Sequence, residues 1–262
     1  MGRRRVKHPM LVAGALALSV LAAQAQIAGS DHLSTTAGTV EIVPIHHASM
    51  MLTIGAQDIL IDPAPLDGVQ GAAVTARYTA MARPDVILIT HIHGDHFNVP
   101  ILEAVAGPDT VIVAPQNVHD AMPPALQAKT KVMKNGDKAM FGATAVEAVA
   151  MYNVTPARAN FHPKGAGNGY VLTIGGKRIY VAGDTEETPE LAHLANIDVA
   201  FIPMNLPYTE DVAAAAKWVK DFRPKMVFPY HYRGGDGSFP DMAIFSNQVG
   251  NASIVRLRKW YN

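Results

Sequence analysis

One residue beyond the apolar tetrad Val86-Ile87-Leu88-Ile89 stands the run His91-Ile92-His93-Gly94-Asp95-His96. Four unbroken apolar residues mark a strand buried on both faces, because a half-exposed strand would alternate with polar residues. Three imidazoles and a carboxylate then leave the sheet together at that strand's end. A strand covered on both faces needs a layer above and a layer below. So dense a polar cluster belongs on a loop at a sheet edge, where an ion or solvent can reach it. The chain is thus constrained toward layered α/β architecture with chemistry at one edge.

Imidazole nitrogen and carboxylate oxygen together suit zinc, and also iron or manganese. The plain alternative is a solvated polar loop. Three other residues weigh against it by their placement. Asp184, in Gly183-Asp184-Thr185, follows a predicted strand over 178–182, and His231 follows one over 226–228. Asp62, before Pro63, follows one over 58–61. Singly, an Asp after Gly or before Pro is a turn former. Together, ligand types just past several strand ends gather at one edge of a sheet.

These residues carry a resemblance, spanning about 39–257, to the metallo-β-lactamase superfamily. The chain resembles lactonase-like and phospholipase-like members more than true β-lactamases. The resemblance implies an α/β (α+β) fold, a four-layer αββα sandwich. It implies that His91 and His93 hold a first metal, that Asp95 and His96 hold a second, that Asp184 bridges them and that His231 completes the second. Asp62 would support the site from behind by hydrogen bonding. His47, in His46-His47-Ala48-Ser49, would lie near the site without being an obligatory ligand. The implied cofactor is Zn2+, one or two ions, with Fe or Mn as alternatives.

One departure matters. The family's third histidine for the first metal would fall at Asn153, and an amide oxygen is a weaker ligand than imidazole. Three outcomes stay open: Asn153 binds through oxygen, His162 replaces it, or the first position is empty or labile. Arg233-Gly234-Gly235, just after His231, reads either as an anion-binding loop or as a loop with a solvated arginine.

The expected activity is metal-dependent hydrolysis of a small-molecule ester, lactone, amide or phosphodiester. Asp95 or Asp184 would take or orient the water's proton, and His231 or His162 would donate to the leaving group or to a developing oxyanion. The alternative is a metal-binding, catalytically degenerate periplasmic binding protein, which the Asn153 departure motivates. With no cysteine, thiol catalysis and iron–sulfur ligation are excluded. No G-x-S-x-G elbow is present, and Gly165-Ala166-Gly167-Asn168-Gly169 lacks the Lys-Ser/Thr of a phosphate loop. Lys plus Arg equals Asp plus Glu at 22 each, so nothing suggests a nucleic-acid partner.

The first 25 residues read as a secretory signal peptide: Arg3, Arg4, Arg5 and Lys7, an apolar run over 10–23, then Ala23-Gln24-Ala25. An uncleaved anchor is the alternative. The expected destination is the periplasm or the medium, with no stable membrane span after cleavage. Residues 26–38 read as a loose leader and 39–262 as one domain, without an internal repeat. Within it, Gly175-Gly176 signals a hairpin. Helices are expected over 99–105, 118–128, 209–222 (capped by Thr209) and 242–249.

Overall fold

The computed structural model describes residues 30–65 and 73–261. The segment 1–25, expected to be a signal peptide, lies outside the described residues. The domain is an αββα sandwich of two seven-stranded sheets. The first runs in chain order: β1 (Asp31–Thr35), β2 (Gly38–His46), β3 (Ser49–Ile54), β4 (Gln57–Ile61), β5 (Val86–Leu88), β6 (Val111–Ala114) and β7 (Thr130–Val132). The second holds β8 (Lys138–Phe141), β9 (Thr144–Met151), β10 (Gly167–Ile174), β11 (Lys177–Val181), β12 (Val199–Ile202), β13 (Met226–Pro229) and β14 (Ile254–Val255). Each sheet opens as an antiparallel meander and closes as a parallel array. The strand plan therefore repeats, although the sequence does not.

Period-2 side-chain alternation explains the unbroken apolar runs. In β5, Val86 and Leu88 face the other sheet, while Ile87 faces outward. In β12, Val199 and Phe201 point inward, and Ala200 and Ile202 outward. Both directions are apolar because helices cover both outer faces. On the first sheet lie α1 (Ala73–Thr79), α2 (Val99–Val105), α3 (Gln116–Asp120) and α4 (Pro124–Gln127). Ile101, Leu102, Val118 and Leu126 from these helices pack against Leu60, Ile87 and Ile112. On the second lie α5 (Val212–Phe222) and α6 (Met242–Val249), which bury Trp218, Val219 and Phe245 against Tyr180, Ala200 and Val227. No helix among the described residues is long and apolar enough to cross a membrane.

Local expectations change at three places. Where a loose leader was expected, residues 31–35 form β1, paired with β2 and tied by Asp31 to the Arg258 guanidinium. The helix expected over 118–128 divides into α3 and α4, because Pro124 starts a new helix and has no N–H to continue the old one. The cap of α5 is Asp211, whose Oδ1 accepts from Ala214 N at 2.8 Å; Thr209 instead hydrogen-bonds Asn205. The Gly175-Gly176 turn joins β10 to β11 with φ of 49° and 78°, left-handed values suited to glycine.

Candidate metal centre

Parallel strands of both sheets end at one edge of the sandwich, and the polar side chains sit on the loops leaving those ends. Asp62 follows β4 and the stretch 90–96 follows β5. Asp184, Asn205 and His231 follow β11, β12 and β13. His47 occupies the β2–β3 turn, while Asn153 and His162 lie in the connection from β9 to β10. His47, Asp62 and His231 adopt φ of 58°, 42° and 44°. Such left-handed backbone is uncommon outside glycine and concentrates at functional sites. It is held here by hydrogen bonds: Asp62 N to Leu88 O at 2.9 Å, and His231 N to His47 O at 3.2 Å, which ties the two sheets together.

Ligand-type atoms fall into three groups, each within 4.8 Å: His91, His93 and His162; His91, His96 and Asp184; His47, Asp95 and His231. Asp184 sits between them. Its Oδ1 is 3.4 Å from His96 Nε2 and 3.3 Å from His231 Nε2, and its Oδ2 is 3.4 Å from His162 Nε2. Asp95 Oδ2 is 3.0 Å from His47 Nε2 and 3.4 Å from His231 Nε2.

Behind this layer, most of the rings are braced at their far nitrogen. Asp62 Oδ2 lies 2.8 Å from His96 Nδ1 and also accepts from the Thr90 hydroxyl at 2.7 Å. Thr90 N donates to Asp62 Oδ1 at 2.7 Å, and Thr90 Oγ1 is 3.0 Å from His91 Nδ1. The Asn205 amide lies 2.9 Å from His231 Nδ1. Tyr261 OH lies 2.8 Å from His47 Nδ1. Such outer partners fix ring orientation at metal sites.

Asn153 is held by its amide nitrogen, and its Oδ1 is buried without a hydrogen-bond partner. Its Nδ2 donates to the carbonyls of Arg158 (2.9 Å) and Tyr208 (2.7 Å) and lies 3.2 Å from His162 Nδ1. His162 turns its Nε2 into the cluster beside His91 and His93. Thr90, Asn205 and Tyr261 escaped the sequence reading. Thr90 adjoins the histidine run and could have been suspected, whereas nothing local marks the other two. His119 lies in α3 and His193 in a short 3-10 helix, both away from the site.

Charge and burial fit a cation. Burial pushes His91 well below its ordinary pKa, with His96 adding to the effect. Burial also lowers His93, and burial with the neighbouring His231 brings His47 to about 4. These imidazoles are neutral near pH 7, the form that binds metal. Burial opposes ionisation of Asp184, but His231 and His96 outweigh it and hold the carboxyl well below the usual range. Asp95 behaves alike: burial opposes ionisation, and His96 with hydrogen bonds from His231 and His47 overcomes it. Against its own burial, His96 is raised well above its ordinary value by Asp184, Asp62 and Asp95. Three carboxylates thus converge on His96, a concentration of negative charge that a divalent ion satisfies. His96 Nε2 and His162 Nε2 each face the Asp184 carboxylate, and both nitrogens and Asp184 Oδ1 are buried without a hydrogen-bond partner. Orphaned polar atoms are costly in a protein interior, so the residues present fit a metal.

The centre opens into a cleft of about 800 Å3 whose walls include Phe161, Tyr208, Phe239 and Arg233. The Arg233 guanidinium stands 5.4 Å from the centre of the Tyr261 ring. A second cavity of about 490 Å3 shares Gly234 and Phe239 with it and is walled by Met204, Leu206, Pro207 and Tyr232.

Residues 41–231 match the model of the beta-lactamase superfamily domain. A UPF0173 metal-dependent hydrolase of Symbiobacterium thermophilum is 34% identical, with 83% of this chain and 92% of that protein covered. A second, from Pyrococcus abyssi, is 28% identical over 84% of this chain and 96% of its own length. A solved structure from Parabacteroides distasonis, described as a candidate metal-dependent hydrolase, superposes with a TM-score of 0.77 at 38% identity, covering 89% of this chain and 99% of that one.

Proposed function

We propose, from the premise that this chain belongs to the beta-lactamase superfamily and its metal-dependent hydrolases, that it is an exported zinc enzyme cleaving an ester, lactone, amide or phosphodiester in a small molecule. The observation that carries the reading is the Asp184 carboxylate flanked by His96 Nε2 and His162 Nε2, with both nitrogens and its Oδ1 buried and unpartnered. The donor set favours zinc over magnesium or calcium because imidazole outnumbers carboxylate. We assign His91, His93 and His162, which cluster, to one ion and, as the family resemblance implies, Asp95, His96 and His231 to the other, with Asp184 offering an oxygen toward each.

Ions held there would supply Lewis acidity and lower the pKa of a bound water. This chain's residues do the rest. Asp95, about half exposed at the cleft, accepts and orients the proton of the attacking water. His231 Nε2 stands 3.4 Å from Asp95 Oδ2 and 3.3 Å from Asp184 Oδ1, so it would hold the ion beside the acid that orients water. Phe161, Tyr208 and Phe239 offer apolar walls, and Arg233 offers a fixed positive charge. The reading therefore favours a substrate with an apolar or aromatic part next to an anionic group. Asn153 motivates the alternative of a binder without turnover; His162, with its Nε2 3.4 Å from Asp184 Oδ2, supports the hydrolase reading instead. Export is supported by the basic start, apolar run and Ala-Gln-Ala of the first 25 residues.

The test is a panel of chromogenic esters, lactones, amides and phosphodiesters, run before chelation, after it, and after re-addition of zinc, iron or manganese. Turnover lost to chelator and restored best by zinc supports the reading. Tight metal retention with no turnover across the panel would favour the binder.

A further inference from the structure

A histidine that binds metal through Nε2 presents a lone pair there, so its Nδ1 carries the proton and needs an acceptor. His96 meets that demand, because its Nδ1 faces the Asp62 carboxylate at 2.8 Å. His91 meets it too. Its Nδ1 faces Thr90 Oγ1 at 3.0 Å, and the Thr90 proton is already given to Asp62. His47 lies in the same cluster of ligand-type atoms, yet its Nε2, unlike those of His96 and His162, already faces a hydrogen-bond acceptor.

The Tyr261 hydroxyl, 2.8 Å from His47 Nδ1, accepts from Arg233 N at 3.2 Å. Its own proton is then satisfied by donation to His47 Nδ1. On the other side, His47 Nε2 lies 3.0 Å from Asp95 Oδ2, an oxygen that only accepts. Both neighbours select the tautomer with hydrogen on Nε2. Tyr261 is held in place by further contacts: its ring packs at 5.1 Å from Tyr232 and 5.0 Å from Phe239, and the preceding Trp260 carbonyl accepts from His47 N at 3.0 Å.

We infer that His47 is not a metal ligand but a positioning residue, locked by Tyr261 as an Nε2–H donor that holds the half-exposed Asp95 carboxylate in its working rotation. The chain Arg233 N–H to Tyr261 to His47 to Asp95 links Tyr261, the last described residue, to the acid proposed to orient water. It also couples that acid to the loop carrying Arg233, on the wall of the cleft. This inference rests on the ligand assignment above and not on the bond the enzyme cleaves.

The test is a long-range 1H–15N correlation spectrum of the 15N-histidine protein loaded with zinc, with the His47 signals assigned by their loss in His47→Gln. Elemental analysis of the same samples accompanies it. The expected spectrum has His47 as the Nε2–H tautomer, with a mixture appearing in Tyr261→Phe. Zinc per chain stays at the parent value in both variants. With a substrate in hand, kcat falls about 10- to 100-fold in Tyr261→Phe and His47→Ala. KM stays within about twofold, and His47→Gln, whose amide can still donate to Asp95, recovers part of the loss. A parent spectrum showing the Nδ1–H tautomer, or loss of an ion in His47→Gln, overturns the inference. Neither readout needs turnover, so failure to find a substrate would count against the hydrolase reading alone.

Discussion

The two sheets share one strand plan but build the centre in opposite ways. The first delivers His91, His93, Asp95 and His96 on a single loop after β5, braced by Asp62 and Thr90 from adjacent strand ends. The second delivers His162, Asp184 and His231 from three separate loops, each needing a different strand in place. One side is nearly preassembled by local chain geometry. The other exists only when the whole sheet and its helical cover have formed. Asp184 is where they meet, since its oxygens reach histidines of both sheets.

The sharpest way to break this comparison is Asp184→Ala. It removes the shared carboxylate and leaves His96 and His162 without their common neighbour. Turnover should fall by more than about 100-fold, beyond what outer-layer changes cost, and metal per chain should drop. Full metal and full turnover would mean that the sheets do not meet at Asp184.

Next comes the cover of the second sheet. Trp218 is fully buried between α5 and the outer face of β11, with Tyr180 and Phe222 against it. Trp218→Ala should cost about 3–5 kcal/mol of stability, read by denaturant unfolding. If the scattered loops depend on this packing, metal affinity should fall at temperatures where the variant begins to unfold. The preassembled loop of the first sheet predicts no such coupling for changes on its own far edge.

A smaller effect is expected from Asp62→Asn on the first sheet. The amide keeps the shape but weakens the bond that orients His96 Nδ1. Metal affinity should fall roughly 10- to 100-fold with the fold intact, measured by competition with a chromogenic chelator. The smallest effect belongs to the exposed Lys217 pair with Asp221 on α5, one turn apart. Lys217→Ala should change stability by no more than about 0.5 kcal/mol and leave metal untouched.

The same asymmetry decided what could be read from residues alone. The loop after β5 was legible because its ligands are contiguous and follow a doubly buried strand. The fold class was legible because the inward and outward positions of β5 and β12 are both apolar. His162 stayed one of three options, since nothing near residue 162 states that its ring returns to His91 and His93. Tyr261 was invisible, because its bond to His47 spans almost the whole described chain. β1 was missed for a related reason: its five residues alternate half-buried with exposed positions and owe their place to β2 and to Arg258. The repeated strand plan leaves no sequence repeat, because each sheet needs only apolar character at matched positions.

The most direct test of a centre shared by both sheets is metal per chain, by elemental analysis after zinc saturation and removal of free ion. The account predicts about two ions per chain in the parent protein. No bound ion, or a single ion kept by Asp184→Ala at the parent's affinity, would contradict it.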